Sequence, residues 1–378
     1  MRLRTLLLDV NIVETLSFQG ERGVDVGGIT IYQVAAEAGV SPSTVSNLLN
    51  GRTGKMLPET RARVESAIRR LGYRPNRAAQ QLRTGRIHTL GLIVPSVANP
   101  FWGTFARHLE AAALAEGFYM LLCNSERDQD RERHYVEQLW GDGIGGVVLC
   151  SSLPSLDHVT PIVEAGLKLV AFDRTAQPGD PHNVVNIGTD NVLGMRLATE
   201  HLLELGHRRL AFVSGSIGSI NRAERHSGFR QAIEAAGLPP EAGIVWSGAD
   251  TLDFDDRDTA ELGRVAALEI LSSPHPPTAI VAINDMCALG IVAGAREAGF
   301  VAGRDVSVTG YDDIMLAGMA MPALTTVRQP VEEMAATAFA KLRQAMDGEG
   351  GESGHSILHR PALVVRDSTS APVTSPVM

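Results

Sequence analysis

Only three cysteines occur in the 378 residues, Cys123, Cys150 and Cys287, and they stand far apart. They build no disulfide framework and have no metal-ligand spacing. Each sits in an apolar stretch, so buried thiols in a reducing cytoplasm are expected. No apolar run approaches the ~20 residues of a membrane span. The start, Met1 to Phe18, has no signal-peptide core, because Leu6-Leu7-Leu8 is cut short by Asp9, and Asn11 and Glu14 follow. Secretion is not expected; residues 1–27 read as a disordered extension or as the product of an upstream start. Catalytic motifs are missing as well. Gly143-Ile144-Gly145-Gly146 is no dinucleotide fingerprint, and neither a P-loop nor a His-Glu-x-x-His motif occurs. The chain is read as a non-enzyme without cofactor or metal.

What is present is an ordinary globular composition, 44% apolar and 20% charged, and a length that suggests two or three folding units. The net charge of −9 argues against nucleic acid until its distribution is considered. Between Gly28 and His88 stand ten basic residues, nine of them arginine, against Glu37, Glu59 and Glu65, a net of +7 that leaves −16 for the rest. A basic head on an acidic body is the footprint of a protein that docks phosphates at one end.

The head reads as short helices. Thr30 caps a helix through Ala38 that buries Ile31, Val34, Ala35 and Ala38, and Gly39 ends it. Ser41 caps a second helix with Pro42 at its first position, where a missing N–H costs nothing. Val45, Leu48 and Leu49 form its buried stripe. Two helices joined by a glycine-containing turn are a helix-turn-helix pattern. A third runs from Pro58 to Leu71 and closes at Gly72. The stretch Arg77–Arg83 is helix-forming but under two turns long, so it needs outside support to stay ordered. From Thr89 strands and helices alternate: strands at 89–94, 119–123, 146–150, 168–172, 184–187, 209–214, 244–246, 279–282 and 307–311. The helices between them are placed at 105–116, 131–140, 156–165, 192–205, 222–236, 258–272 and 286–297. Continuous apolar strands between helices imply parallel sheets covered on both faces, here in two sets. The pocket is expected in the cleft at their carboxyl ends. The tail after Ser368 is rich in Pro, Ser and Thr and is expected to be mobile.

The segment Thr30-Ile31-Tyr32-Gln33-Val34-Ala35 through Gly39-Val40-Ser41-Pro42-Ser43-Thr44-Val45-Ser46-Asn47-Leu48-Leu49-Asn50 closely resembles the head of lactose-repressor-family regulators. So do Leu71-Gly72-Tyr73-Arg74-Pro75-Asn76 and Gln80-Gln81-Leu82. In the body the matching motifs are Asn99-Pro100-Phe101-Trp102, Leu205-Gly206-His207-Arg208-Arg209, Asn284-Asp285, Gly310-Tyr311-Asp312-Asp313 and Leu324-Thr325-Thr326-Val327-Arg328-Gln329. The resemblance runs from about residue 29 to 372. It implies an α/β architecture: a helix-turn-helix domain (28–75), a hinge helix (76–86), and a periplasmic-binding-protein-like effector and dimerisation domain (87–372). Within the last, one subdomain takes about 87–187 plus 331–357 and the other about 188–330 plus 358–372, with a tail at 373–378.

The resemblance further implies a homodimer on a pseudo-palindromic operator in double-stranded DNA. The second helix would enter the major groove and put Pro42, Ser43 and Asn47 at base edges, where an amide pairs bidentately with adenine. Pro42 departs from members with larger polar residues there. Thr30, Tyr32, Ser41, Thr44, Ser46 and Asn50 are read as phosphate contacts, which position rather than specify. Hinge residues Asn76, Ala79 and Gln80 would meet the minor groove, and Leu82 would wedge between base pairs. An effector that changes closure of the body would separate the paired hinges and release the DNA.

Effector candidates are Asn99, Asp173, Arg174, Arg225, Asn284 and Asp312, with Phe101 and Trp102 as stacking faces. The resemblance assigns Asp173, Asn284 and Asp312 to positions that hold effector hydroxyls, and carboxylates and amides suit a polyol. A small sugar is therefore the expected effector and a repressor of a carbohydrate operon the expected function. The alternatives are a regulator that a nucleobase activates as corepressor, and a solute-binding protein without a DNA role; the latter would lack the basic head. With about six phosphate contacts, operator affinity is expected to fall about 10³-fold between ~50 and ~200 mM salt. A gel-shift salt titration that changed affinity by less than about tenfold would contradict the basic-head reading.

Overall fold

The structure, a computed structural model, describes residues 29–49, 52–54, 56–73, 88–248, 256–349 and 356–373. It divides into a small unit up to Arg86 and a large one from Ile87.

The small unit holds three helices, α1 (Ile31–Ala38), α2 (Pro42–Leu49) and α3 (Pro58–Leu71). α1 opens on a capping box. The Thr30 hydroxyl accepts from Gln33 N, and Thr30 N donates back to Gln33 Oε1 at 2.7 Å. Gly39 ends α1 at φ 62°, a left-handed conformation that glycine adopts without a Cβ clash. Val34, Ala35, Ala38, Val45, Val64 and Ala67 are buried between the three helices, with Leu48, Leu49, Ile68 and Leu71 packed around them.

The large unit contains two six-stranded sheets. The first uses β1 (Thr89–Val94), β2 (Tyr119–Asn124), β3 (Gly146–Cys150), β4 (Lys168–Phe172), β5 (Val185–Thr189) and β11 (Ser356–His359), ordered β11-β5-β4-β3-β1-β2. The second uses β6 (Leu210–Ser214), β7 (Gly243–Ser247), β8 (Ala279–Ala282), β9 (Ser307–Asp312), β10 (Thr325–Arg328) and β12 (Ala362–Val364), ordered β12-β10-β9-β8-β6-β7. All pairings are parallel except β10 with β12. The strand order is the same in both lobes. Each reverses direction of winding at its first strand, so the crevice between β1 and β3, and between β6 and β8, faces the other lobe at the strands' carboxyl ends.

Helices α4 (Pro100–Ala115), α5 (Gln129–Gly141), α6 (Thr160–Glu164) and α12 (Val331–Met346) cover the first sheet, and α7 (Asn191–Glu204), α8 (Ile220–Ala235), α9 (Asp256–Leu271) and α10 (Asp285–Glu297) the second. A short α11 (Met315–Met319) follows β9. The chain passes between the sheets after β5, after β10 and again between β11 and β12.

Several elements depart from the expected bounds. α4 starts at Pro100 rather than 105, because Asn99 caps it: the amide oxygen accepts from Phe101 N at 3.0 Å. α6 is shorter than the predicted 156–165. Cys150 and Cys287 are buried as expected, but Cys123, near the end of edge strand β2, is only half-buried. The tail expected to be mobile after Ser368 is held through residue 372. Ser368 Oγ donates to Val308 O at 2.6 Å, and Pro372 packs against Gly206. His207 Nε2 donates to Ser370 O at 2.9 Å, with Nδ1 2.7 Å from the Thr278 hydroxyl. Burial pushes this imidazole below its usual range, so the neutral ring serves as a strut.

α9 and α10 approach closely because glycines face each other there. A Cβ at Gly290 would lie 1.8 Å from the Ala260 carbonyl oxygen, a backbone atom that cannot yield. Gly290→Ala is expected to lower unfolding free energy by about 2–3 kcal/mol, measured by urea denaturation. A loss below about 0.5 kcal/mol would mean that the helices are free to separate.

Candidate functional site

In the head, α2 carries the candidate interface. Ser41 Oγ accepts from Thr44 N at 3.2 Å and lies 2.7 Å from Ser43 Oγ, so the cap also orders the first turn. Pro42 occupies the first helical position and is half-buried. Ser43 and Asn47 are exposed four residues apart, on one face of the helix. Thr30 and Ser41 are exposed, Tyr32 is exposed too, and Thr44 is half-buried. Ser46 departs from the expectation: it is buried next to Val45 rather than standing open on the surface of α2. Asn50, Asn76, Ala79, Gln80 and Leu82 lie outside the described residues. On α3, Arg61 is paired with Glu65 at 2.8 Å, and Arg70 with Glu37 of α1. Both pairs are exposed and add little to stability.

In the body, polar groups from both lobes meet at the strand ends. Asp173 follows β4 with φ 62° and is buried. Its Oδ2 accepts from Asn221 Nδ2 of α8 at 2.6 Å, while Oδ1 has no partner. Burial raises its pKa to about 6; Arg225, Arg127 and the Asn221 bond pull the other way, and Glu224 adds to the rise. Arg225, also on α8, is buried and fully engaged. Its Nε donates to Asn191 Oδ1 at 2.9 Å and one terminal nitrogen to Ile283 O at 2.8 Å. The other lies 3.8 Å from Asp312 Oδ1, and the guanidinium stacks 3.7 Å from the Tyr311 ring centroid. Asp312 holds φ 110° and accepts from Gln329 Nε2 at 2.8 Å. Two candidate carboxylates at positive φ are backbone outliers of the kind that concentrates at ligand sites. Asn284 is buried at the mouth of β8, where its Oδ1 caps α10 through Cys287 N at 2.9 Å.

Two expectations are corrected. Arg174 is not an open cleft group: it is fully buried and grips Asp180 through one nitrogen at 2.8 and 3.0 Å, while its Nε and other terminal nitrogen have no hydrogen-bond partner. It thereby closes the loop that carries Asp173. Phe101 and Trp102 are not open stacking faces, being 3% and 4% exposed. They stack edge to face with centroids 4.9 Å apart, and Trp102 meets Phe105 and Phe172 in the same way. The Trp102 indole N–H has no hydrogen-bond partner.

Sequence reasoning missed Asn191, Asn221, Glu224 and Gln329. Glu224 spans the lobes, accepting from Thr175 Oγ1 at 2.7 Å and Asn191 Nδ2 at 2.9 Å. Asn221, one residue before Arg222, is the polar neighbour of Arg225 on the inward side of α8, and the i, i+4 spacing was the available signal. Asp285 was read with Asn284, but it serves the fold. It is fully buried, accepts from Ile314 N at 2.9 Å and Thr326 Oγ1 at 2.5 Å, and pins the loop after β9 to α10.

A small open pocket is lined by Arg127, Glu132, Ser151 and Ser152 of the first lobe and Ser219 of the second. Among the described residues, no cluster of His, Cys, Asp and Glu could hold a metal ion, and no helix is long and apolar enough to cross a membrane.

Comparison with known proteins places this geometry. Residues 30–76 match the model for bacterial regulatory proteins of the lacI family, and residues 199–369 that for a periplasmic binding protein-like domain. The HTH-type transcriptional regulator DegA of Bacillus subtilis (strain 168) is 34% identical over 90% of this chain and 98% of its own. Among solved structures, a lac repressor dimer bound to operator and the anti-inducer ONPF superposes with TM-score 0.78 at 26% identity, over 91% of this chain and 99% of that one. A transcriptional regulator CelR–cellobiose complex gives TM-score 0.66 at 33% identity, over 90% of this chain and 99% of that one.

The raised pKa of Asp173 has a stability consequence. In the unfolded chain the carboxyl loses its proton near pH 4, in the native state near 6. Between those values the native state binds more protons, so this residue's ionisation weakens the fold as pH rises from 4 to 6, and above 6 the full penalty is present. Asp173→Asn is expected to be about 2 kcal/mol more stable than the parent at pH 7, and the gain should vanish by about pH 4. Equal gains at both pH values in chemical denaturation would refute the assignment.

Proposed function

Because the chain belongs to the lacI family of bacterial regulatory proteins, with a relative 34% identical over 90% of its length, we propose that it is a cytoplasmic repressor of a carbohydrate operon, released from its operator by a sugar. It is a DNA-binding transcriptional regulator with a ligand-binding sensor domain. The observation that carries the specific reading is the outward row of α2, where Ser43 and Asn47 stand exposed one turn apart behind a proline-started, serine-capped N-terminus. That arrangement presents a hydroxyl and an amide at groove depth, and the amide selects adenine by two hydrogen bonds.

Two apolar surfaces support a homodimer. Leu121 and Leu122 are each 48% exposed on edge strand β2, and Met319 and Met321 are 71% and 92% exposed in and after α11. An unpaired β edge with apolar side chains is a surface that a second copy covers. The lac repressor similar to this chain was captured as a dimer on operator. Asp312, Asn284 and Asp173, gathered around Arg225, supply acceptors and donors for adjacent hydroxyls. The hinge proposed at 76–86 and the domain bounds given above complete this reading.

The test is selection of bound sequences from a random duplex library with the purified full-length protein, followed by gel shifts on the recovered site. A two-fold symmetric site is expected. Asn47→Ala should weaken that site by about tenfold or more while leaving random duplex unaffected. Recovery of no sequence preference would overturn the proposed function, and equal loss on both duplexes would reduce Asn47 to a phosphate contact.

A further inference from the structure

We infer that Glu224 is a positioning residue that latches the two lobes at one degree of closure, and that this latch sets the operator affinity of the effector-free protein. The inference goes beyond the sugar reading above, since it holds whatever the effector is.

Three separate pieces of chain meet at this one carboxylate. Oε1 accepts from the Thr175 hydroxyl of the first lobe at 2.7 Å, and Oε2 accepts from Asn191 Nδ2 at 2.9 Å. Asn191 is the first residue of α7, just past the point where the chain leaves the first sheet, and Glu224 itself stands on α8 of the second lobe. One side chain therefore ties a loop of the first lobe, a crossover and a helix of the second.

Both neighbours are held so that they present a donor. Thr175 lies in the loop that Arg174 and Asp180 pin, where Gln177 N also donates to Asp180 Oδ2 at 2.8 Å and Ala176 N to Ser356 Oγ at 2.7 Å. Gln177 Nε2 donates to the Thr175 hydroxyl oxygen at 3.1 Å, which leaves the hydroxyl hydrogen for Glu224. On the other side, Asn191 is buried, and its Oδ1 accepts from Arg225 Nε at 2.9 Å. With its oxygen committed to Arg225, the amide turns its N–H toward Glu224. A carboxylate accepts at both oxygens, whereas the amide of a glutamine accepts at only one. The two donors thus select glutamate.

The latch is wired to the candidate effector groups. Asn191 is gripped by Glu224 and by the next residue, Arg225, and the charge of Glu224 is felt at both Asp173 and Arg225. A ligand that displaces either of those groups disturbs the same node. The seam has few bonds, so losing the two at Glu224 shifts its opening by about tenfold.

The experiment is hydrogen exchange on the full-length protein, with gel shifts on the operator recovered by sequence selection. The Ile220 amide reports closure, because it donates to Ser152 O across the lobes at 2.9 Å. Glu224→Ala should speed exchange at Ile220 by about tenfold, leave the amides of α10 unchanged, and alter operator affinity by about threefold or more with no effector added. Glu224→Gln, which keeps one of the two bonds, should fall between the alanine variant and the parent on both readouts. Thr175→Val removes the donor on the opposite lobe and should shift both in the same direction, and its combination with Glu224→Ala should be less than additive. Parental exchange at Ile220, a rise shared by α10, unaltered operator affinity or full additivity would each overturn the latch. Recovery of no operator would remove the repressor reading, and the exchange measurements would still decide whether Glu224 holds the lobes.

Discussion

A guanidinium taken out of water must find partners for its N–H groups, and the sensor cleft is organised around that requirement at Arg225. Its partners are the first residue of α7, the carbonyl at the end of β8 and the carboxylate at the end of β9, with the Tyr311 ring beneath. One side chain thus gathers the crossover from the first lobe and two strand ends of the second. Loss of the arginine would strand Asp312 in a buried site, a kind of deletion that typically costs 3–5 kcal/mol. Asp312 at φ 110° is tolerable because Gln329 and Arg225 hold it from two sides.

The seam between the lobes is made of bonds that are individually weak. Asn221–Asp173, Thr175–Glu224, Thr189–Gln329 and the backbone contact Ile220–Ser152 join them. Each contributes roughly 1 kcal/mol net. A ligand that prefers one degree of closure by a few kcal/mol can therefore reset the seam. Arg174 and Asp180 serve the opposite need, since one guanidinium nitrogen bound to both carboxylate oxygens pins the loop that carries Asp173.

Much of the fold was legible because its signals are local. Thr30, Gly39, Ser41, Pro42 and Gly72 mark helix ends by backbone chemistry that does not depend on neighbours, and the head's three helices fall where those residues place them. Buried parallel strands such as 146–150 and 279–282 are continuous apolar runs, and their bounds match the expectation. Strands β11 and β12 had no comparable signal, because edge strands of four and three residues are too short to show a pattern. The candidate site was half legible. Asp173, Arg225, Asn284 and Asp312 do converge, but Arg174, Phe101 and Trp102 were misjudged because their direction is set by tertiary packing. Glu224 was invisible, because a polar residue on an amphipathic helix looks the same whether it faces water or the opposite lobe; for Asn221 the i, i+4 spacing from Arg225 was the one signal.

The order of the strands bears on how the polypeptide is made. β11 completes the first sheet and β12 the second, and both come from the last two dozen residues of the described chain. A ribosome that has not yet delivered Ser356 has therefore finished neither lobe, and the edges beside β5 and β10 are still open. Both sheets are completed by late, long-range strand pairing, which is intrinsically slow. Nascent chains paused before residue 356 would expose two open β edges at once, so that interval is when this protein most needs chaperone cover.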